Sequence, residues 1–460
     1  MQDAKNNNNN NNNNNSTSRR AILKTGAVLA AGAVLPPWTL AAPAGAKPGA
    51  GYSFPKGFLW GAAVAGHQVE GDNVNSDAWL LENIKPSVFM EPSGAAVDHY
   101  RLFEQDIALL AGLGLNTFRF SVEWSRVEPE EGMFSVAAIE HYRDVLRACH
   151  KHKVAAMVTF NHFTTPRWFA GRGGWEAADA ATLFARYCGK VAQELGALMA
   201  YATTLNEPNL AKMLFRTPGP VAGMADTPDE RAMLAVARQR MGTGQYSSWL
   251  FGDFDKIEAG MLAGHRLGYQ AIKAACPRLP VGVSIAIIDD QAVGDPAMRD
   301  RKRAISYEPW FKAVAGDGDF IGVQTYSRDL IGPQGELPAP AGATLTDLGY
   351  EYYPEALEAT IRYTRQHVQV PIYVTENGIA TTDDLRREDY IRKALKGVAA
   401  CLKDGIDVRG YVHWSLLDNF EWIFGYRPHF GLVAVERATM RRTAKPSARL
   451  LGGYARRNAL

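Results

Sequence analysis

Thr204-Leu205-Asn206-Glu207-Pro208 and Val374-Thr375-Glu376-Asn377-Gly378 carry the first reading of this chain. Each sets a glutamate directly behind a run that reads as a buried strand, Ala200–Leu205 in one case and Pro371–Val374 in the other. Pro208 and Gly378 then break the runs. A carboxylate at the C-terminal end of a parallel strand is where a barrel enzyme keeps its chemistry. Two on one rim suggest paired-carboxylate catalysis, as in glycoside hydrolysis. By spacing alone, two glutamates capping neighbouring helices would look the same.

Outward from these stretches, strand-like runs alternate with helical patterns. Candidate strands are Phe58–Ala65, Thr117–Ser121, Ala155–Asn161, Tyr201–Asn206, Val281–Ile288, Phe320–Tyr326, Ile372–Glu376 and Gly410–Ser415. Between them lie amphipathic stretches such as Tyr100–Leu113, Ile139–His150, Ala180–Leu195, Glu258–Ala275, Pro354–Gln366 and Arg387–Asp404. Eight strands in alternation with helices predict an α/β fold, a (β/α)8 TIM barrel. Several strands are apolar throughout, as expected when both faces are buried. The chain has 460 residues, and a barrel occupies about 250, or more than 400 with insertions. Residues 45–460 are therefore read as one domain with elaborated βα loops. Asn209–Lys256, after the fourth strand, is expected to supply such loops rather than a second domain.

Composition excludes several classes. The formal net charge is +2 with no dominant basic tract, so nothing points to nucleic acid. Cys149, Cys188, Cys276 and Cys401 lie far apart without CxxC spacing and are read as buried free thiols. There is no phosphate-cradling Gly-rich loop and no HExxH spacing, so neither cofactor nor metal is expected.

Residues 1–44 read differently. Asn6 to Asn15 are all asparagine, a run unable to build a core. Ser18-Arg19-Arg20 and Lys24, the apolar Ala27–Leu35 and the small residues Ala41–Ala44 have the layout of a signal peptide. The apolar stretch is too short for a stable membrane span. Its paired arginines resemble a twin-arginine signal. The expectation is export to the periplasm or beyond, with a mature chain starting near Gly45.

The strand ends collect one kind of chemistry. The first ends near Gln68 and Glu70; the second carries Arg119, with Ser121, Glu123 and Trp124 following. The third ends Asn161-His162-Phe163, the fourth Asn206-Glu207, the sixth Gln324-Thr325-Tyr326 and the seventh Glu376-Asn377. The eighth ends Trp414-Ser415, followed by Asn419, Glu421 and Trp422. In a barrel all of these converge on one rim. Sugars need this mixture, because amides and carboxylates pair with vicinal hydroxyls and flat aromatic faces stack on a pyranose. Each residue alone has a plain structural explanation; their joint placement favours a site.

From about Phe54 to Leu451 the motifs resemble glycoside hydrolase family 1, the β-glucosidase/β-glycosidase family. Phe54–Gly61 resembles its opening, Phe118–Arg126 its second-strand motif, Thr204–Pro208 its acid/base motif, Thr375–Gly378 its nucleophile motif and Trp414–Trp422 its sugar-recognition motif. The resemblance implies a retaining β-glycosidase working through a covalent glycosyl-enzyme. It makes Glu376 the nucleophile and Glu207 the acid/base, with Arg119 and Tyr326 stabilising the nucleophile's charge. It makes Asn206 the partner of the sugar 2-hydroxyl. Gln68, His162, Glu421 and Trp422 would hold the other hydroxyls, with Trp414 as stacking floor and Phe430 beside the 6-hydroxymethyl. The implied partner is a small glycoside or oligosaccharide, foremost a β-glucoside, with tolerance for β-galactosides or β-fucosides. Glu421 would repel a 6-phosphate. Three positions depart from the family pattern: Gln324-Thr325-Tyr326 for the usual Asn-Tyr-Tyr, Phe163 for Trp, and Gly66-His67 for Ser/Ala-Tyr. A transglycosylase using the same intermediate, or a catalytically silent sugar-binding barrel, would share most of these motifs.

Overall fold

A computed structural model describes residues 52–215, 217–218 and 226–460. The signal-peptide and export expectations lie outside the described residues. Eight parallel strands close into a barrel: β1 (Leu59–Ala63), β2 (Thr117–Ser121), β3 (Ala155–Asn161), β4 (Tyr201–Asn206), β5 (Val281–Ala286), β6 (Phe320–Gln324), β7 (Ile372–Glu376) and β8 (Val408–Trp414). All eight fall on the expected runs. β2, β5, β6 and β7 are buried along their whole length, which is why their sequences do not alternate.

Hydroxyl and carboxylate caps start several of the helices. Ser76 caps α1 (Asp77–Asn83), Ser135 caps α2 (Val136–Lys151) and Thr227 caps α3 (Pro228–Met241), each accepting a backbone N–H of the first turn. α4 (Phe254–Ala275) lies close against Ala180–Leu195. A Cβ at Gly260 would stand 2.0 Å from the Trp175 carbonyl, and one at Gly268 3.1 Å from Phe184. Cys149, Cys188 and Cys401 are buried free thiols, but Cys276 is only half-buried, because it caps the end of α4 rather than lying inside it.

Register brings the strand ends level. Ala63 pairs with both Trp414 and Arg119, Ala286 with Gln324, and Gln324 with Glu376. The pairing slips just before each strand-end glutamate, between Thr203 and Asn206 and between Val374 and Glu376. Such slips re-aim side chains at barrel rims. A second apolar cluster sits outside the main core. It joins Leu80 and Leu81 of α1, and Ile84 just after it, to Met233, Leu234 and Ala237 of α3, with Phe89, Phe251 and Phe420.

Three short features escape the sequence reading. A small sheet joins Asp289–Ala292, Arg328–Gly332 and Gly335–Leu337, a hairpin joins Val433–Glu436 to Arg441–Ala444, and a helix spans Pro446–Arg457. The strands have five residues or fewer, too short to show a period.

Candidate active site

Glu376 ends β7 and is 3% exposed. Its Oε1 accepts from Arg119 Nη1 at 2.5 Å and its Oε2 from the Tyr326 hydroxyl at 2.7 Å. Arg119, fully buried on β2, also donates from Nη2 to Asn206 Oδ1 at 2.6 Å, which Gln324 Nε2 reaches at 2.9 Å. Four strands thus meet at one hydrogen-bonded network.

That network fixes its neighbours' proton positions. Asn206 Oδ1 is occupied as an acceptor, so its Nδ2 donates to His162 Nε2 at 3.1 Å. Burial, then the Arg119 charge, hold His162 well below its ordinary pKa, so its ring is neutral. Its proton therefore sits on Nδ1, a buried atom with no partner among the described residues. Gln68 gives its amide to the Phe420 carbonyl at 2.7 Å and to Asn419 at 3.1 Å, leaving buried Oε1 as a free acceptor. One neutral donor and one neutral acceptor suit hydroxyl groups.

Glu207 follows β4 with φ +42°, in the left-handed region that non-glycine residues rarely adopt. Its N–H donates to the Ser284 carbonyl at 2.7 Å. Among the described residues no protein group donates to its carboxyl. Burial, then the nearby Glu376 charge, push its pKa well above the ordinary range, with Arg119 opposing. Part of its surface still meets solvent. Burial raises Glu376 too, but Arg119 and the Tyr326 hydroxyl counter it. The shared proton accordingly resides on Glu207 and the charge on Glu376.

Aromatic rings form a column beside the carboxyls. Trp414 stacks on His162 (centroids 5.6 Å, 25°), His162 faces Trp422 (6.4 Å, 17°), and Trp422 lies flat on His67 (5.5 Å, 5°). Phe430 stands edge-on to Tyr326 at 5.8 Å. Burial raises the Glu421 carboxyl well above its usual range, against hydrogen bonds from Trp414 and Gln68.

Not every strand-end polar group opens into this space. Glu123 is spent on protein donors: Asn73, Thr164, Ser121 and the His67 N–H. Asn377 is engaged by Thr325, Tyr390 and Tyr411, and Asn419 by Ser415, Leu417 and Gln68. These three brace the rim. Trp249, which the sequence reading left within the long loop segment without singling it out, lies with its ring flat on Phe163 at 3.8 Å and edge-on to Trp422 at 5.7 Å. It arrives from the long segment after β4, where no periodic signal marks it. Gln324 also gains a definite task, holding Asn206 rather than standing free.

A proton-holding carboxyl facing a charge-stabilised one, on the C-terminal rim of a closed parallel barrel, defines a barrel glycosidase. Comparison with known proteins leads to the same place. Residues 51–235 and 317–459 match the Glycosyl hydrolase family 1 profile. The chain belongs to that family. It is 30% identical to the thermostable β-glucosidase B of Thermobispora bispora, over 89% of this chain and 92% of the relative. It is 29% identical to a bifunctional β-D-glucosidase/β-D-fucosidase of Bifidobacterium breve, over 86% and 96%. The crystal structure of a β-glycosidase, 49% identical, superposes with a TM-score of 0.83 over 88% of this chain and 98% of that one.

Proposed function

We propose that the protein hydrolyses terminal β-D-glycosides, β-glucosides foremost, by double displacement. The observation that carries this is the unequal treatment of two carboxyls: Glu376 receives donors from Arg119 and Tyr326, and Glu207 receives none among the described residues. Glu376 Oε attacks the anomeric carbon while Glu207 gives its proton to the leaving oxygen. The glycosidic bond breaks and an ester to Glu376 forms. Glu207, now ionised, takes a proton from water, whose oxygen attacks the same carbon and returns Glu376 as carboxylate. Relatives named as β-glucosidases, a β-D-glucosidase/β-D-fucosidase and a β-galactosidase of Pyrococcus woesei support the sugar class. Gln68 and Glu421 serve as the hydroxyl readers. One hydroxyl contact is worth on the order of 1–3 kcal/mol, so mixed gluco and galacto use is expected.

A panel of aryl β-glucoside, β-galactoside, β-fucoside, β-mannoside and β-xyloside on wild type and Glu376→Ala tests this. Turnover should fall by several orders of magnitude in the variant, and azide should restore part of it as the α-glycosyl azide. A variant that retains activity, or is not rescued, overturns the nucleophile assignment.

Export is part of the proposal. The Arg19-Arg20 pair, the apolar stretch after it and Ala41–Ala44 support a twin-arginine signal. Replacing both arginines by lysine should leave active protein in the cytoplasm, read by fractionation. Unchanged export would reject that route.

A further inference from the structure

His67 ends the aromatic column beside the carboxyls, and it is 1% exposed. Its ring covers one face of Trp422 at 5.5 Å, tilted by only 5°, and meets Phe420 edge-on. Its Nε2 lies 3.5 Å from Glu82 Oε2, and among the described residues neither atom has a hydrogen-bond partner elsewhere. Two buried polar atoms thus depend on each other. Nδ1 lies 3.3 Å from the Asn73 amide and 3.4 Å from the Ser76 hydroxyl.

The pair reaches the sugar-facing loop at two points. Glu82 Oε1 accepts from the Ser93 hydroxyl, and the Ser93 carbonyl accepts from Tyr426 OH at 2.5 Å. Met90 N–H donates to the Ile423 carbonyl at 3.0 Å. Residues 421–426 are therefore gripped by the segment that carries Glu82. Trp422 itself has φ +53°, a backbone state held only by its surroundings. On its other side, the His67 N–H donates to Glu123 Oε1, which sets the short helical turn carrying Gln68. Gly66 makes this possible: a Cβ there would stand 2.6 Å from Glu123 Cγ.

We propose that His67, braced by Glu82, is a positioning residue that fixes the plane of Trp422 and the reach of Gln68. It sets affinity for the sugar ring and takes no part in bond breaking. The inference rests on the reading of Trp422 and Gln68 as sugar contacts. Glu82, and beyond it Glu123 and Asp77, raise the pKa of the ring against the effect of burial, consistent with a ring bound tightly to its carboxylate.

The test is inhibition by glucose, which reports sugar affinity directly, together with kcat on an aryl β-glucoside. His67→Gln and Glu82→Gln should each raise Ki by about tenfold, the worth of one buried polar partner, with kcat within about twofold of wild type. The double variant should be no worse than the weaker single, since both break one pair. Should His67→Gln fail to fold, the near-isosteric Glu82→Gln carries the test alone. A lowered melting temperature with unchanged Ki would make the pair merely structural and overturn the proposal. Trp422→Ala separates the two levels. If it raises Ki while His67→Gln and Glu82→Gln do not, only the positioning role falls. If it too leaves Ki unchanged, the sugar-contact reading falls with it.

Discussion

In the proposed mechanism Glu207 and Glu376, the same amino acid, take opposite duties, and their partners make the difference. Burial destabilises the charged form of both. Arg119 favours the charge on both, but among the described residues only Glu376 is hydrogen-bonded directly by that guanidinium and by a phenol. The sign of the pH dependence follows. Glu207 must be protonated, so activity is lost as pH rises through its raised pKa. Glu376 must be ionised, so activity is lost as pH falls through its own, which stands above the ordinary carboxylate value. The rate profile should be a bell. Glu207→Ala should remove its alkaline limb and should spare aryl glycosides with activated leaving groups far more than alkyl glycosides. Equal losses on both substrates would count against Glu207 as the acid.

At the scale of elements, Asp77 ties three loops together. It opens α1 and is fully buried, accepting from the Thr165 N–H at 2.8 Å and the Ser248 hydroxyl at 2.7 Å. Tyr246 OH adds a bond to its carbonyl at 3.1 Å. Those residues follow β3 and β4, and Ser248 precedes Trp249. Asp77→Ala strands the Thr165 N–H and the Ser248 hydroxyl in a buried site, while the carbonyl that Tyr246 reaches remains. Stability should drop by about 1–3 kcal/mol per unsatisfied group, seen in urea unfolding, and KM should rise as the Trp249 wall loosens. An unchanged KM with lowered stability would separate the clamp from the pocket. Elements with strong periods, such as Ala180–Leu195, are legible in sequence to the residue. The small sheet and the hairpin are not, because strands of three to five residues outside the strand–helix alternation leave no pattern to read.

At the scale of the whole molecule, one buried cation is held between two carboxylates. Lys302 is 2% exposed and holds Asp290 at 2.7 Å and Asp329 at 2.5 Å. This joins the helix Ala297–Ser306 to two strands of the small sheet. Breaking such a pair from one side leaves an uncompensated carboxylate. Lys302→Met should therefore cost about 3–5 kcal/mol of stability, measured by denaturant unfolding. Aryl-glycoside turnover by the folded fraction should persist, because the pair touches no residue of the carboxyl network.

The sequence by itself determined the eight strands, their order and the positions of both glutamates. Those features are local: a buried strand, the residue that ends it and the break that follows are contiguous in the chain. It also determined the family, through motifs that each fit within nine residues. Only the tertiary structure decided which partners each rim residue meets. Arg119 meets Glu376 across 257 positions and Gln68 meets Glu421 across 353, contacts that exist only once the barrel closes. Closure also sent Glu123 and Asn377 into the frame, set Gln324 on Asn206, and laid Trp249 on Phe163 and His67 on Trp422. A side chain's type shows what it can bond; its partner depends on register, which the barrel fixes as a whole.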